Sequence, residues 1–227
     1  MMKKILLAII ITATLSLPNL QAQDNIKYGF KAGLNVSDWG GDAAATITDL
    51  VSLTNVFETN PNFGFHVGSF MEIPVGGGLV IEPALLYSQK GIRVKGRLPE
   101  NLPGIIDLLN VNATITNRAH YIDMPIVAKY YVNEGFNIFA GPQLSYLASN
   151  KLNVEAGALG FNVLNQALDI NEGFRKLDVA MTAGLGYKLP NGFSLSASYD
   201  FGLTSLDDRN SFDVFNRVAK VSVGYMF

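Results

Sequence analysis

The sequence predicts an all-β fold: an eight-stranded antiparallel up-and-down transmembrane β-barrel with short periplasmic turns and four longer external loops. Three observations lead there. Apolar and polar residues alternate with period two in segment after segment, the connections alternate between short and long, and charges collect on one face of the alternation.

Composition sets the bounds. Apolar residues make up 48% of the 227 residues and charged ones only 16%, below the roughly 25% of a soluble domain. The net charge of −2 leaves no basic footprint for nucleic acid. With no Cys there is no disulfide, thiolate metal site, cysteine nucleophile or lipid-modified cysteine. The N-terminus reads as an export signal: Met1 to Lys4 is positive, Ile5 to Leu17 is apolar, and Leu20-Gln21-Ala22 offers a cleavage site. That apolar run is shorter than the ~20 residues a spanning helix needs. The expected division is a cleaved signal peptide at 1–22 and an outer-membrane barrel domain at 23–227.

Eight strands are expected, at about 26–37, 62–73, 79–91, 118–132, 136–148, 177–189, 193–203 and 219–227. The last three show the pattern best. From Phe193 to Leu203 every odd position is apolar or aromatic and every even one is Ser, Asp or Gly. In the final segment Ala219, Val221, Val223, Tyr225 and Phe227 share one face, against Lys220, Ser222, Gly224 and Met226. A helix would group i, i+3 and i+4 instead. Short turns fall at Pro74–Gly78, Asn133–Gly135 and Pro190–Gly192, where Gly and Asn supply the φ > 0 of tight hairpins. Long connections fall at about 38–61, 92–117, 149–174 and 205–215.

Alternation alone does not say which face meets lipid. Here the polar face carries Lys31, His66, Glu72, Glu82, Lys90, Asp123, Lys129, Lys176, Asp178, Lys188, Asp200 and Lys220. An eight-stranded barrel is just wide enough for side chains to fill. The expected arrangement is therefore a plugged lumen of paired ions, since one buried charge left unpaired costs several kcal/mol. Aromatics recur near strand ends on the apolar face, as in the girdles of membrane barrels.

Candidate chemistry is sparse. His120 falls on the lipid-facing parity while Asp123 points inward, so the two are expected to diverge. His66 is inward, and Glu82 is a candidate partner for it in the lumen. No catalytic residue, cofactor or metal ligand is expected. Gly76-Gly77-Gly78 has no helix behind it and reads as a turn rather than a phosphate cradle. Arg93, Lys95 and Arg97, with Lys90 before them, read as a solvated strand extension or as a basic rim for lipopolysaccharide phosphates.

Several stretches resemble the PorT-like outer-membrane β-barrel family of the Bacteroidota. They are Tyr121-Ile-Asp-Met-Pro-Ile-Val-Ala-Lys-Tyr130, Phe139-Ala-Gly-Pro142, Ile81-Glu-Pro-Ala-Leu-Leu-Tyr-Ser-Gln-Lys-Gly91 and Tyr28-Gly-Phe-Lys-Ala-Gly-Leu-Asn35. Asp123 stands where the family usually has Glu. The resemblance implies an outer-membrane location and a small barrel, and its namesake is linked to protein secretion. Tyr225 and the terminal Phe227 also resemble the signal read by the barrel-assembly machinery. The expected function is a non-enzymatic structural or surface-binding role. Its partners would be outer-membrane lipid, lipopolysaccharide and, through the external loops, another protein. A small-solute pore, a membrane-embedded hydrolase and an accessory part of a secretion system are the alternatives.

Overall fold

Strict alternation can satisfy a membrane only if every backbone group is paired, which for strands means a closed ring. A computed structural model, describing residues 26–41, 57–97, 112–158, 161–169, 174–207 and 213–227, shows that ring. The expected signal peptide at 1–22 and the middles of the long connections lie outside the described residues. Among the described residues nine strands are formed: β1 Lys27–Gly40, β2 Phe57–Gly76, β3 Leu79–Arg97, β4 Asn112–Tyr131, β5 Phe136–Ala158, β6 Phe161–Asp169, β7 Leu177–Lys188, β8 Phe193–Gly202 and β9 Phe215–Met226.

Eight of them close the barrel. The order β4-β3-β2-β1-β9-β8-β7-β5 returns on itself through β4–β5, and all neighbours are antiparallel. The first and last strands seal the ring, running from Gly29↔Met226 to Gly40↔Phe215. The ninth strand, β6, pairs only with the far end of β5 and stands outside the ring. Among the described residues there is no helix.

The three short turns lie at one end. Gly77 and Gly78 join β2 to β3 with φ of 60° and 81°, a conformation residues with a Cβ rarely adopt. The Asn133 side chain accepts the amides of Gly135 and Phe136 to close the β4–β5 turn.

At the opposite end the strands overrun their expected bounds. Pairing of β2 with β3 continues to Phe57↔Gly96, β3 with β4 to Arg97↔Asn112, and β4 with β5 to Asn112↔Gly157. Much of the expected loops at 38–61, 92–117 and 149–174 is therefore sheet. Beyond the bilayer both faces of a strand can meet water, so nothing there enforces alternation. The result is lopsided: β2 to β5 hold 19 to 23 residues each, whereas β7 to β9 hold 10 to 12.

The usual sorting of residues is inverted. Phe30, Leu34, Leu195 and Val221 are more than half exposed, while Asn35, His66, Asp123 and Asp178 are fully buried. Glycines on the inner face make room for the rings that fill it. A Cβ on Gly29 would stand 2.6 Å from the Phe70 ring, and one on Gly184 would stand 2.6 Å from Phe139. Toward the long-loop end, Ala119, Tyr121 and Leu147 form an apolar layer with Phe174 packed against it.

Candidate functional site

Among the described residues the lumen gathers most of the paired ionisable groups, and alternation puts them there from many strands at once. Near the short turns, Lys129 of β4 bonds both Glu72 of β2 (2.9 Å) and Glu82 of β3. Lys31 of β1 reaches Glu82 at 2.5 Å, Lys188 of β7 lies 3.5 Å from Glu72, and the Tyr131 hydroxyl donates to Glu72 at 2.7 Å. The Lys31 ammonium also sits 4.9 Å above the Phe70 ring that Gly29 admits.

A second cluster lies farther along. Asp123 is flanked by Lys90 at 2.8 Å and Lys220 at 3.3 Å, and Lys220 also holds Asp200 at 2.6 Å. Gln143 donates to Asp200, and Lys90 donates to Ser145 and lies 4.7 Å from the Tyr121 ring centre. Two cations and two anions balance here, as low-dielectric burial demands. Asp178 has a different setting: Thr204 and Asn216 each donate to it at 2.8 Å. Lys176 was expected inside, yet it is exposed at the rim, because β7 begins only at Leu177 and the ladder that fixes facing starts there.

His66 has no carboxylate partner, contrary to the pairing considered with Glu82. Its Nδ1 meets Asn35 Oδ1 at 2.7 Å and its Nε2 meets Ser222 Oγ at 2.8 Å. The Asn35 amide nitrogen donates to the Phe65 carbonyl, the Ser88 hydroxyl and the Gln89 carbonyl, so its oxygen is left to accept. His66 Nδ1 therefore donates, and Nε2 accepts the Ser222 proton. A hydroxyl, an imidazole and an amide in that order match the layout of a nucleophile, base and orienter. The space beside them does not match. The adjoining cavity is about 40 Å³, lined also by Lys31, Glu82, Gln143, Thr182 and Lys220. That admits water and little else, so the three residues satisfy one another as a buried polar core.

On the outer wall, His120 bonds the Tyr87 hydroxyl at 2.5 Å while Asp123 stays inside, so the two diverge. Tyr121 shares the inward parity of Ala119 and Asp123 and is buried, while the register shift beside it accommodates one extra residue, Ala148, on β5. Of the basic rim, Lys90 turns inward and Lys95 is exposed; the Arg97 side chain lies outside the described residues. No group of three His, Asp or Glu suited to a metal occurs among the described residues. At the other end Phe227 follows β9, donates its amide to the Tyr28 carbonyl, and packs its ring 6.0 Å from that of Phe30. Tyr225 packs on Phe193 with ring centres 4.9 Å apart.

Parity alone pointed to the charged positions. It missed Asn35, Gln143 and Ser222, which share the inner parity but carry no charge to draw notice.

Comparisons with known proteins follow the fold. Among solved structures, the attachment invasion locus protein Ail of Yersinia pestis, in complex with the heparin analogue sucrose octasulfate, is similar at 13% identity. The match covers 89% of this chain and 99% of that one, with a TM-score of 0.44. Neisserial surface protein A matches at 12% identity over 88% and 97% of the two chains, with a TM-score of 0.46. A designed transmembrane β-barrel matches at 10% identity over 88% and 95%, with a TM-score of 0.34. A comparison with curated proteins found no match. The sequence profile for the outer membrane protein beta-barrel domain matches residues 21–208, most of the molecule, and the chain belongs to that family.

Proposed function

We propose that this outer-membrane barrel is a non-enzymatic surface protein, whose filled lumen is a structural plug and whose long external strands present a binding surface. The observation that carries this reading is the interlocked charge network. Lys31, Glu72, Glu82, Lys129 and Lys188 bind one another across the barrel, as do Lys90, Asp123, Asp200 and Lys220. Mid-barrel, the space left beside them is about 40 Å³; a cavity of about 260 Å³ opens at the short-turn mouth, beside Glu72 and Lys188. A pore needs a continuous water path, and paired ions across a narrow barrel oppose one.

Finer assignments belong to the same proposal. The stretches around Tyr121–Tyr130 and Ile81–Gly91 favour a PorT-like member. A cleaved signal at 1–22 would export the chain, and Tyr225 with Phe227 would mark β9 for the assembly machinery. Outer-membrane lipid, lipopolysaccharide and a protein partner are the proposed contacts.

Conductance in planar bilayers tests the plug. The barrel should pass no sustained single-channel current, and stable open steps would overturn the reading in favour of a pore. Labelling with a serine-directed fluorophosphonate addresses the hydrolase alternative. Ser222 should stay unmodified in the folded barrel, and its modification would count against the non-enzymatic assignment.

A further inference from the structure

The long wall of the barrel arranges its outward side chains in layers. Across β3, β4 and β5, one row reads Tyr87↔Ile122↔Tyr146, with Phe65 packed on Tyr87. The next row outward is Gln89↔His120↔Ser149, then Gly91↔Arg118↔Lys151, then Arg93↔Thr116↔Asn153. Across β3 to β5 acids return farther out, where Lys95 lies between Glu58 and Thr114, and Thr114 faces Glu155. Rows are about 6.6 Å apart along a strand. The cations therefore begin about 13 Å along the strands beyond the aromatic row, less in depth because the strands tilt. That is the level of a lipid's charged headgroup, given a hydrocarbon core of about 30 Å and a total thickness of about 40–45 Å.

Arg118 is the centre of this patch. Its two cross-strand neighbours are Gly91, which offers no side chain, and Lys151, which is a second cation. Both Arg118 and Lys151 are exposed. Like charges directly opposed on one sheet face are destabilising. On β3 to β5 the positions beside the pair hold Arg93, His120, Gln89 and Asn153, all able to donate and none acidic, while Thr116 of the same row is buried. Asp169 of β6 stands across Lys151 on its far side, so one cation has an acidic ladder neighbour and Arg118 has none. Two opposed cations with one acidic neighbour, beside Lys151, and flanked by further donors are the chemistry that holds a phosphate.

We infer that Arg118, Lys151 and Arg93 form a site on the outer wall of β3–β5 for the phosphate of an outer-leaflet glycolipid. The inference rests on the reading of this chain as an outer-membrane barrel with its long strands external. It deepens the lipopolysaccharide contact proposed there by naming the residues and the group they hold. The aromatic row below holds the acyl region, while the donors flanking Arg118 take the remaining phosphate oxygens. Among the described residues the strands of the short wall hold no such opposed pair: Arg217 of β9 turns onto the Gly202 carbonyl and the Phe201 and Phe215 rings.

Binding of bis-phosphorylated lipid A to the folded barrel in neutral detergent micelles tests the site, with dephosphorylated lipid A, inorganic phosphate and a sulfated polysaccharide as parallel probes. The unaltered protein should prefer the phosphorylated lipid by about tenfold or more, and the double variant R118Q/K151Q should lose that preference. K176Q, which removes an exposed cation from the short wall, should keep it. Inorganic phosphate alone should bind far more weakly, because it lacks the acyl chains. Equal binding of phosphorylated and dephosphorylated lipid by the unaltered protein would overturn the site, and needs no variant to fold. So would equal losses in K176Q and R118Q/K151Q, or a stronger preference for the sulfated polysaccharide than for the lipid. None of these outcomes would change the conductance result, so the plug and the site fail separately.

Discussion

The two sides of this barrel meet the same membrane and are built differently. The short wall, β7 to β9, uses 10 to 12 residues per strand, about what a tilted span requires. The long wall, β2 to β5, uses 19 to 23 and continues as a sheet to which β6 adds. The difference teaches that the bilayer sets a minimum strand length and a parity, while whatever lies outside sets the rest. On the short wall the outward residues are almost all apolar, as lipid requires, with Arg217 turned onto its neighbours. On the long wall lipid dictates the lower half only, and the upper half is free to carry Arg93, Arg118 and Lys151.

The largest expected effect lies in the lumen that both walls share. Replacing Asp123 by Ala leaves Lys90 and Lys220 buried beside a lost anion, and should destabilise by about 3–5 kcal/mol in urea unfolding from lipid vesicles. A loss under 1 kcal/mol would show that the two walls do not depend on this bridge. Next comes the lipid face. Leu195→Arg on β8 should cost about 2–4 kcal/mol, whereas Leu168→Arg on β6, equally exposed but beyond the bilayer, should cost no more than about 1 kcal/mol. Similar losses at both positions would erase the distinction between the walls. Ser196→Arg, which enters the lumen instead, should behave differently from Leu195→Arg.

Gly33→Ala tests close approach at the seam between β1 and β9. The new Cβ would stand 2.0 Å from the Val221 carbonyl oxygen and 2.5 Å from the His66 ring. A cost of about 1–3 kcal/mol follows from overpacking, and an unchanged unfolding midpoint would mean that the seam is loose. The smallest effect belongs to R118Q/K151Q. In neutral lipid, relief of the opposed cations should raise stability by about 0.2–1 kcal/mol, with the gain shrinking as salt screens the pair. A destabilised variant would mean that the pair is already compensated.

Legibility in the sequence followed the same divide. The bounds of β7 and β8 can be read from alternation to within a residue or so, because hydrocarbon on one side and a packed lumen on the other enforce it at every position. The upper halves of β2 to β5 are harder to bound: Ile92 and Val94 alternate with Arg93 and Lys95, and Leu152 and Val154 flank Asn153, but no bilayer fixes where that pattern stops. In the lumen, parity shows which side chains point in but not whom they meet. Partners depend on register between strands, and register shifts between Pro61 and His66, and between His120 and Tyr121, follow no rule readable from one strand. Alternation turns His66 and Tyr121 inward, but that His66 meets Asn35 and Ser222 depends on how β2, β1 and β9 are aligned. The basic patch was half visible: Arg93 and Lys95 sit close in sequence, but Arg118 and Lys151 join only through pairing.

The pairing of β1 with β9 fixes an order of events. Ser222 and His66 are 156 positions apart, and Lys220 and Asp123 are 97 apart, so the lumen cannot be completed until β9 arrives. Before that moment His66 lacks a partner for Nε2, Asp123 lacks one of its two cations, and β1 presents an unpaired edge. Hydrocarbon accepts none of these. A partly assembled barrel is thus excluded from the bilayer by its own polar interior, and such long-range closure is intrinsically slow. The last rung is the Phe227 amide on the Tyr28 carbonyl. Loss of even the final few residues should therefore stall entry into the membrane, well before it weakens the finished barrel.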